Sequence, residues 1–497
     1  MRFSINSFLT IRRLSSLLLI LIGHNSIFAD VKPSTMFGDN MVIQRGMPVA
    51  IWGKCDPGEN IEVSFGKHNV KTNGNKNGKW QTFLPKLNAS KEEKNLTIKG
   101  KNTIVFKNVV VGEVWVCAGQ SNMQYGWGKE SHPMFNWGGV PELKKYVAMA
   151  RNKPIRSYHV PVNVSFEPLD ECKGTWKKEV PGSAVAFGYA YYLQESLNIP
   201  VGIITTCWGS SSIEGWMPYD MTKQLPHFKE MMDKFKSSKQ SNDRVKNAIK
   251  MGIRHGMTFV RKQPNLLYNA MLHPIIPYTC RGVVWYQGEA NGRKPKEYSQ
   301  SLPSWIQRLR KGWENEQLQF LIVVLPGYGY DVDKPYPKSW SWFREVQMDA
   351  SKITNVEVIN TIDLGDSKEI HPADKEPICK RLSLIAQNAI YNKPTVDRGP
   401  VFKNYQLLDN KIIIRFDHAK KLKTIDGKAP SGFWIAEKEG VWHKAEAIVE
   451  GNKVILSSKK LNKPIVCRYA FSGKPTVNLI NEVGLPTYPF RTDGWNE

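Results

Sequence analysis

Acidic residues are scarce in this chain: 45 Asp and Glu stand against 69 Lys and Arg over 497 residues, a formal net charge of +24. None of these acids falls into the spacing of a calcium loop. Cysteine is scarcer still. The seven cysteines, at 55, 117, 172, 207, 280, 379 and 467, include no C-x-x-C pair, which excludes a zinc ribbon and a dense disulfide framework. One or two bridges stay open, while Cys117 and Cys207 sit inside apolar runs and read as buried small hydrophobes. Beyond the first 29 residues no uncharged apolar run approaches the roughly 18 residues of a membrane-spanning helix. P-loop and H-E-x-x-H motifs are absent, and "PGYGYDV" at 326–332 has Val332 where a dinucleotide fingerprint needs its third glycine. Neither a basic helix nor an RNP-like aromatic pattern is present, so the excess positive charge reads as a solvated surface rather than a nucleic-acid face. Chemistry without a metal or cofactor is the expectation.

What is present begins with an address. Arg2, Arg12 and Arg13 precede the apolar run "LSSLLLILIG", and Ala29 follows "SIF", the pattern of a secretory signal peptide over 1–29. Its removal would lower the net charge to +21 and release an exported, periplasmic or extracellular protein starting near Asp30. Over 30–108, short β-rich runs such as "IEVSFG" and "NLTIKGKNTIVFKNV" are broken by Gly, Asn and Pro, which predicts an all-β, sandwich-like domain. From 109 to 395 strand and helix patterns alternate. "EVWVCAGQ", "VGIITTCW", "GVVWYQ", "LQFLIVV" and "NVEVINTIDLG" are strands, and "SAVAFGYAYYLQESL", "SWIQRLRKGWENE", "FREVQMDASKI" and "KEPICKRLSLIAQNAIY" are helices. Repeated βα units of this kind predict an α/β domain with a parallel sheet covered on both faces. The charged stretch 221–255 reads as a helical excursion, and from 396 to 497 a second β pattern closes the chain.

Four strand ends carry groups suited to acyl transfer. The first ends at Ser121, the second at Gly209 in "WGSSS", the third in Gly288, Glu289 and Asn291, and the last leads within a few residues to His371. In an open parallel sheet these ends share one edge. A serine hydroxyl needs a base of pKa near the working pH, and the oxyanion that follows needs preorganised amide donors. Alone, Ser121 would read as a turn or cap serine, His371 as a loop histidine before Pro372, and Gly209 as a strand-ending glycine. Gln120 and Asn122 read as loop-shaping, and Glu289 as a buried carboxylate paired with Arg344.

Taken together and in order, "MFGDNMVIQR", "GQSNM", "WGSSSIEGWM", "PNLLYNAM", "VVWYQGEAN", "DLGDSKEIHP" and "NLINEVGLPTYPFRTDGW" resemble the sialate O-acetylesterase family, a branch of the SGNH hydrolases. The resemblance implies an SGNH-type three-layer α/β/α domain between the two β domains. It also implies a serine esterase that releases O-acetyl groups from sugars, 9-O-acetyl sialic acid first among them, through an acetyl-enzyme. By position it makes Ser121 the nucleophile and His371 the base, with Gly209, Gln287 or Asn291 and the Ser121 amide as oxyanion donors. The acid that orients the histidine is Glu369 by motif position, with Asp366 and Asp363 in reserve, because Lys368 occupies the place three before His371 where the wider superfamily carries an acid. Ser210 stands where related chains have glycine; if that position needs φ > 0, the serine is strained.

Three rival readings follow from the same residues. An acetylesterase for xylan or another glycan would share the acyl-transfer groups and differ in its loops. A carbohydrate-binding protein would use the abundant tryptophans and leave Ser121 and His371 idle. A glycosidase would need two carboxylates flanking one bond, and would leave the same two residues unused.

Overall fold

The computed structural model describes residues 30–128, 140–329, 334–336 and 340–495, so the leader expected over 1–29 lies outside the described residues. The chain is a mixed α/β structure built around one long strand, Thr103–Gly119. Its sequence changes character midway. In the first half, exposed and half-buried positions alternate; from Val109 onward every residue is buried. An alternating run suits a sheet with one wet face, and a continuous apolar run suits a sheet covered on both.

The partners follow this division. The first half pairs antiparallel with Ser90–Lys99, and Val42–Gln44 runs parallel to its middle at Val110–Gly112. The second half is the centre of a parallel sheet, flanked on one side by Val201–Cys207 and on the other by Gly282–Tyr286. Beyond these, Ile155–His159 and then the antiparallel Trp176–Lys177 continue one side, while Gln319–Val323 and Val356–Ile359 continue the other. The boundary expected at 108/109 therefore falls inside a single continuous strand. The core is likewise continuous, running from Val31 in the N-terminal region to Ala386 and taking in Tyr488 from the C-terminal region.

Helices Ala184–Leu197 and Glu376–Ile385 pack together, as do Pro295–Gly312 and Trp340–Asp349. The first is set at both ends by local chemistry. Ser183 Oγ accepts the Ala186 N–H at 3.1 Å, and Asn198 closes the other end in the left-handed region at φ 54°. The stretch 221–255 carries two amphipathic helices, Pro226–Ser237 and Lys239–Met251. Past 396, two four-stranded antiparallel sheets enclose a second core around Ile412, Phe433, Leu456 and Tyr469. All seven cysteines are buried and free, so the disulfides left open by the sequence are absent. Among the described residues no helix is long and apolar enough to cross a membrane.

Candidate active site

Strand Thr103–Gly119 ends where its neighbours end, with Gly119 level with both Cys207 and Tyr286. The crossing is close. Gly119 has φ 144°, and a Cβ there would lie 2.1 Å from the Tyr286 carbonyl oxygen, so only glycine fits. The Gln120 N–H donates to that same carbonyl at 3.1 Å, and the chain turns directly into the short helix Ser121–Gln124. The small residues before Ser121 thus let two strands meet beneath it.

His371 Nε2 and Ser121 Oγ are 2.9 Å apart, and His371 Nδ1 lies 2.7 Å from Glu369 Oε1. Glu369 also accepts the His371 main-chain N–H at 2.9 Å, so one carboxylate oxygen fixes both the backbone and the ring of the histidine. Of the acids the sequence kept open, Glu369 is the one on the imidazole. Asp366 accepts the N–H groups of Lys368 and Glu369, and Asp363 is held by Arg381 at 2.8 and 2.6 Å. Burial pushes the His371 pKa below its usual value and the charge of Lys375 adds to that, while Glu369 opposes both. The ring therefore favours its neutral, proton-accepting form. Glu369 itself is 62% exposed, unlike the histidine at 17%.

The amide donors are arranged differently from the expectation. The Gly209 N–H donates to Gln124 Oε1 at 2.9 Å, and Gln124 Nε2 donates in turn to His255 Nδ1 at 3.0 Å. Gln287 is fully buried and its amide nitrogen is taken up by Gln120 Oε1, the Ser211 carbonyl and Asn291 Oδ1, so it braces the loop instead of facing a substrate. Asn291 lies on the wall of the cavity over Ser121, with its amide nitrogen donating to Glu214 at 3.0 and 3.1 Å. The Ser121 N–H opens a helix, where no intrahelical acceptor exists.

That cavity holds about 410 Å³ and brings Ser121 and His371 together with Ser210, Glu214, Lys262 and Lys294. Glu214 lies within "WGSSSIEGWM", whereas Lys262 and Lys294 fall outside every quoted motif and come from segments remote from the nucleophile in sequence. Among the described residues no group of three or more His, Cys, Asp or Glu side chains is placed to hold a metal.

Ser210 does occupy the left-handed region, at φ 60°. A β-carbon there is unfavourable by about 1 kcal/mol, partly offset by the greater freedom glycine has in the unfolded chain. Ser210→Gly is expected to raise the urea midpoint at unchanged slope; an unchanged or lower midpoint would show that the serine makes up for its backbone.

Glu289 corrects another expectation. Its Oε1 accepts Asn122 Nδ2 at 2.5 Å, and its Oε2 is buried without a hydrogen-bond partner. Arg344 turns instead to the carbonyls of Ser472 and Gly473, fastening the C-terminal segment to helix Trp340–Asp349.

The family model of carbohydrate esterases described as sialic acid-specific acetylesterase matches residues 111–251 and 255–377, more than half of the chain. The chain belongs to this family. Sialate O-acetylesterase of mouse, Mus musculus, is 25% identical over 502 residues, covering 88% of this chain and 89% of the mouse protein. The human protein of the same name is 24% identical over 445 residues, covering 82% and 80%. The crystal structure of a carbohydrate acetylesterase from Xanthomonas citri superposes with a TM-score of 0.78 at 29% identity, over 94% of this chain and all of the other. As a member of the family, the chain is a carboxylic ester hydrolase. All the residues about Ser121 and His371 lie inside the matched segments.

Proposed function

We propose that this chain is an exported serine esterase that removes O-acetyl groups from sugars, with 9-O-acetylated sialic acid as its substrate. The observation that carries the reading is the line Ser121 Oγ, His371 Nε2, His371 Nδ1, Glu369 Oε1, with gaps of 2.9 and 2.7 Å. In the mechanism, His371 Nε2 takes the hydroxyl proton as Ser121 Oγ attacks the acetyl carbonyl. The imidazolium, steadied by Glu369, returns the proton to the departing sugar oxygen. A water then attacks the acetyl-serine with the same base, and acetate leaves.

The tetrahedral intermediates need amide donors, each contributing on the order of 3 kcal/mol. The Ser121 N–H is one. Gly209, packed beside Ser121, and Asn291, on the wall of the same cavity, are the further donors in this reading, each exchanging its present acceptor, Gln124 or Glu214, for the oxyanion. An SGNH-type α/β/α layering between two β domains is consistent with the parallel sheet and its paired helices. The arginine-flanked apolar start supports export.

The cavity wall carries Lys262 and Lys294 beside the carboxylates of Glu214 and Glu289, and the two lysines supply cations for a sugar carboxylate that neutral xylan lacks. Acetate release from 9-O-acetylated sialic acid is therefore expected to exceed that from acetylated xylan, and the preference to shrink as salt is raised. Preferred hydrolysis of xylan would overturn the sialic acid assignment and leave the esterase standing.

A further inference from the structure

A second set of polar side chains lies beneath the nucleophile, and the proposed mechanism does not use it. Asn122, the residue after Ser121, is fully buried, and its amide makes three contacts. Its Nδ2 donates to Glu289 Oε1 at 2.5 Å and to the carbonyl of Ile370 at 3.1 Å, and its Oδ1 accepts Lys375 Nζ. The residue following the nucleophile is thus tied to the residue preceding the base. Each amide atom has one chemical sense available, because Lys375 only donates and Glu289 and the carbonyl only accept here, so the orientation of Asn122 is determined by its partners.

Lys375 has no exposed surface. A buried lysine is rare unless its charge is answered, and here the answer is distributed. Asn122 takes one donor, Glu289 supplies the opposite charge across it, and the rings of Tyr125 and Tyr286 have their centres 4.9 and 5.7 Å from Nζ. Tyr125 also lies against His371, ring centres 6.3 Å apart. The lysine therefore reaches both halves of the reacting pair, through Asn122 to Ser121 and through space to His371.

Resting on the Ser121–His371 reading above, we propose that Lys375 is a positioning residue for ester hydrolysis. Its ammonium holds Asn122, and so the turn of Ser121, against the His371 loop, and its charge keeps the resting His371 ring unprotonated.

The titratable groups around the two residues make the sign definite. Lys375 is faced by Glu289, Cys379, Glu369 and Asp374; burial lowers its pKa to about 7 against the raising effect of all four. His371 is faced by Glu369, which raises its pKa, and by Lys375, which lowers it. Below the usual histidine value Lys375 is charged, so its effect operates where His371 titrates. Removing the charge raises the His371 pKa and moves the acid limb of the rate profile to higher pH.

The test uses the full chain with an aryl acetate, which reports acyl transfer whatever the sugar. Lys375→Met is expected to lower kcat about tenfold or more, to leave KM within about twofold, and to move the acid limb of kcat/KM up by roughly half a pH unit. A fall in kcat with the limb unmoved would mean packing alone and would overturn the proposal, as would an unchanged profile. Lys375→Gln covers the case in which Lys375→Met does not fold. It keeps an N–H donor for Asn122 without the charge, and the limb is expected to move in the same direction; a stationary limb there also overturns the proposal. Ser121→Ala, run in parallel, separates the two ideas. Turnover surviving in Ser121→Ala defeats the serine reading itself, whereas a dead Ser121→Ala beside an unshifted Lys375→Met defeats this inference alone.

Discussion

Ser121→Ala is expected to reduce acetate release by about 10,000-fold or more while the protein unfolds at the same urea concentration as the parent. The rate effect follows from the removed atom. Without Oγ there is no acetyl-enzyme, and His371 is left to activate water from a position set for a hydroxyl 2.9 Å away. Enzymes that divide acyl transfer between a serine and a histidine lose most of their advantage when either is removed, keeping only what binding and the oxyanion donors provide. The stability effect is small because the side chain is small and its hydroxyl meets the His371 imidazole. A variant that retained more than about one-hundredth of the parent rate would point to a different nucleophile. Loss of rate together with a large fall in the unfolding midpoint would show that Ser121 supports the turn rather than the reaction.

The largest effect on stability is expected at Glu113, far from the reaction. This carboxylate has no exposed side-chain surface, yet it accepts Arg45 at 2.6 Å, Arg281 at 2.9 and 3.1 Å, Gln44 at 3.1 Å and the Tyr391 hydroxyl at 3.0 Å. Its partners come from the N-terminal β region, the start of strand Gly282–Tyr286 and the segment after helix Glu376–Ile385. Glu113→Ala would leave two guanidinium groups about one-quarter and one-third exposed facing each other without an anion. Breaking a buried ion pair on one side costs about 3–5 kcal/mol, a large share of the roughly 5–15 kcal/mol that holds a typical domain. The fall is expected as a lower urea midpoint at constant slope. Glu92→Ala, which removes an exposed partner of Lys94, is the control and is expected to change stability by less than about 1 kcal/mol. A Glu113→Ala variant as stable as that control would show that the arginines re-solvate freely.

The parts of the structure that could be read from sequence are those governed by local pattern. Runs such as "VGIITTC" and "GVVWY" are rich in β-branched and aromatic residues and carry no charge, and they are fully buried strands of the parallel sheet. The nearness of Ser121 to His371 was legible because each ends a motif on the same sheet edge. Long-range choices were not. Asn122 meets Glu289 across 167 residues and Lys375 across 253, and no periodicity links them. Arg344 in "FREVQ" was the partner expected for Glu289, but the folded chain offers it two carbonyls of a loop some 130 residues further on. Glycine at 209 suggested a free amide, and only the folded position of Gln124 reveals that the amide already has an acceptor. The strained backbone at Ser210, in contrast, was readable from one substituted glycine.

Strand Thr103–Gly119 belongs to two parts of the molecule at once: it pairs with N-terminal strands along its first half and delivers Ser121 from its last residue. A shortened protein beginning at 109 would cut through that strand and strip the Val42–Gln44 and Ser90–Lys99 partners from it. The hydrogen-bonding edge left bare would lie less than ten residues from the nucleophile, an invitation to pair with other chains. Domain swaps and expression of a minimal catalytic fragment should therefore retain everything from Asp30, and substitutions selected in the N-terminal β region can be expected to report on the hydrolase itself.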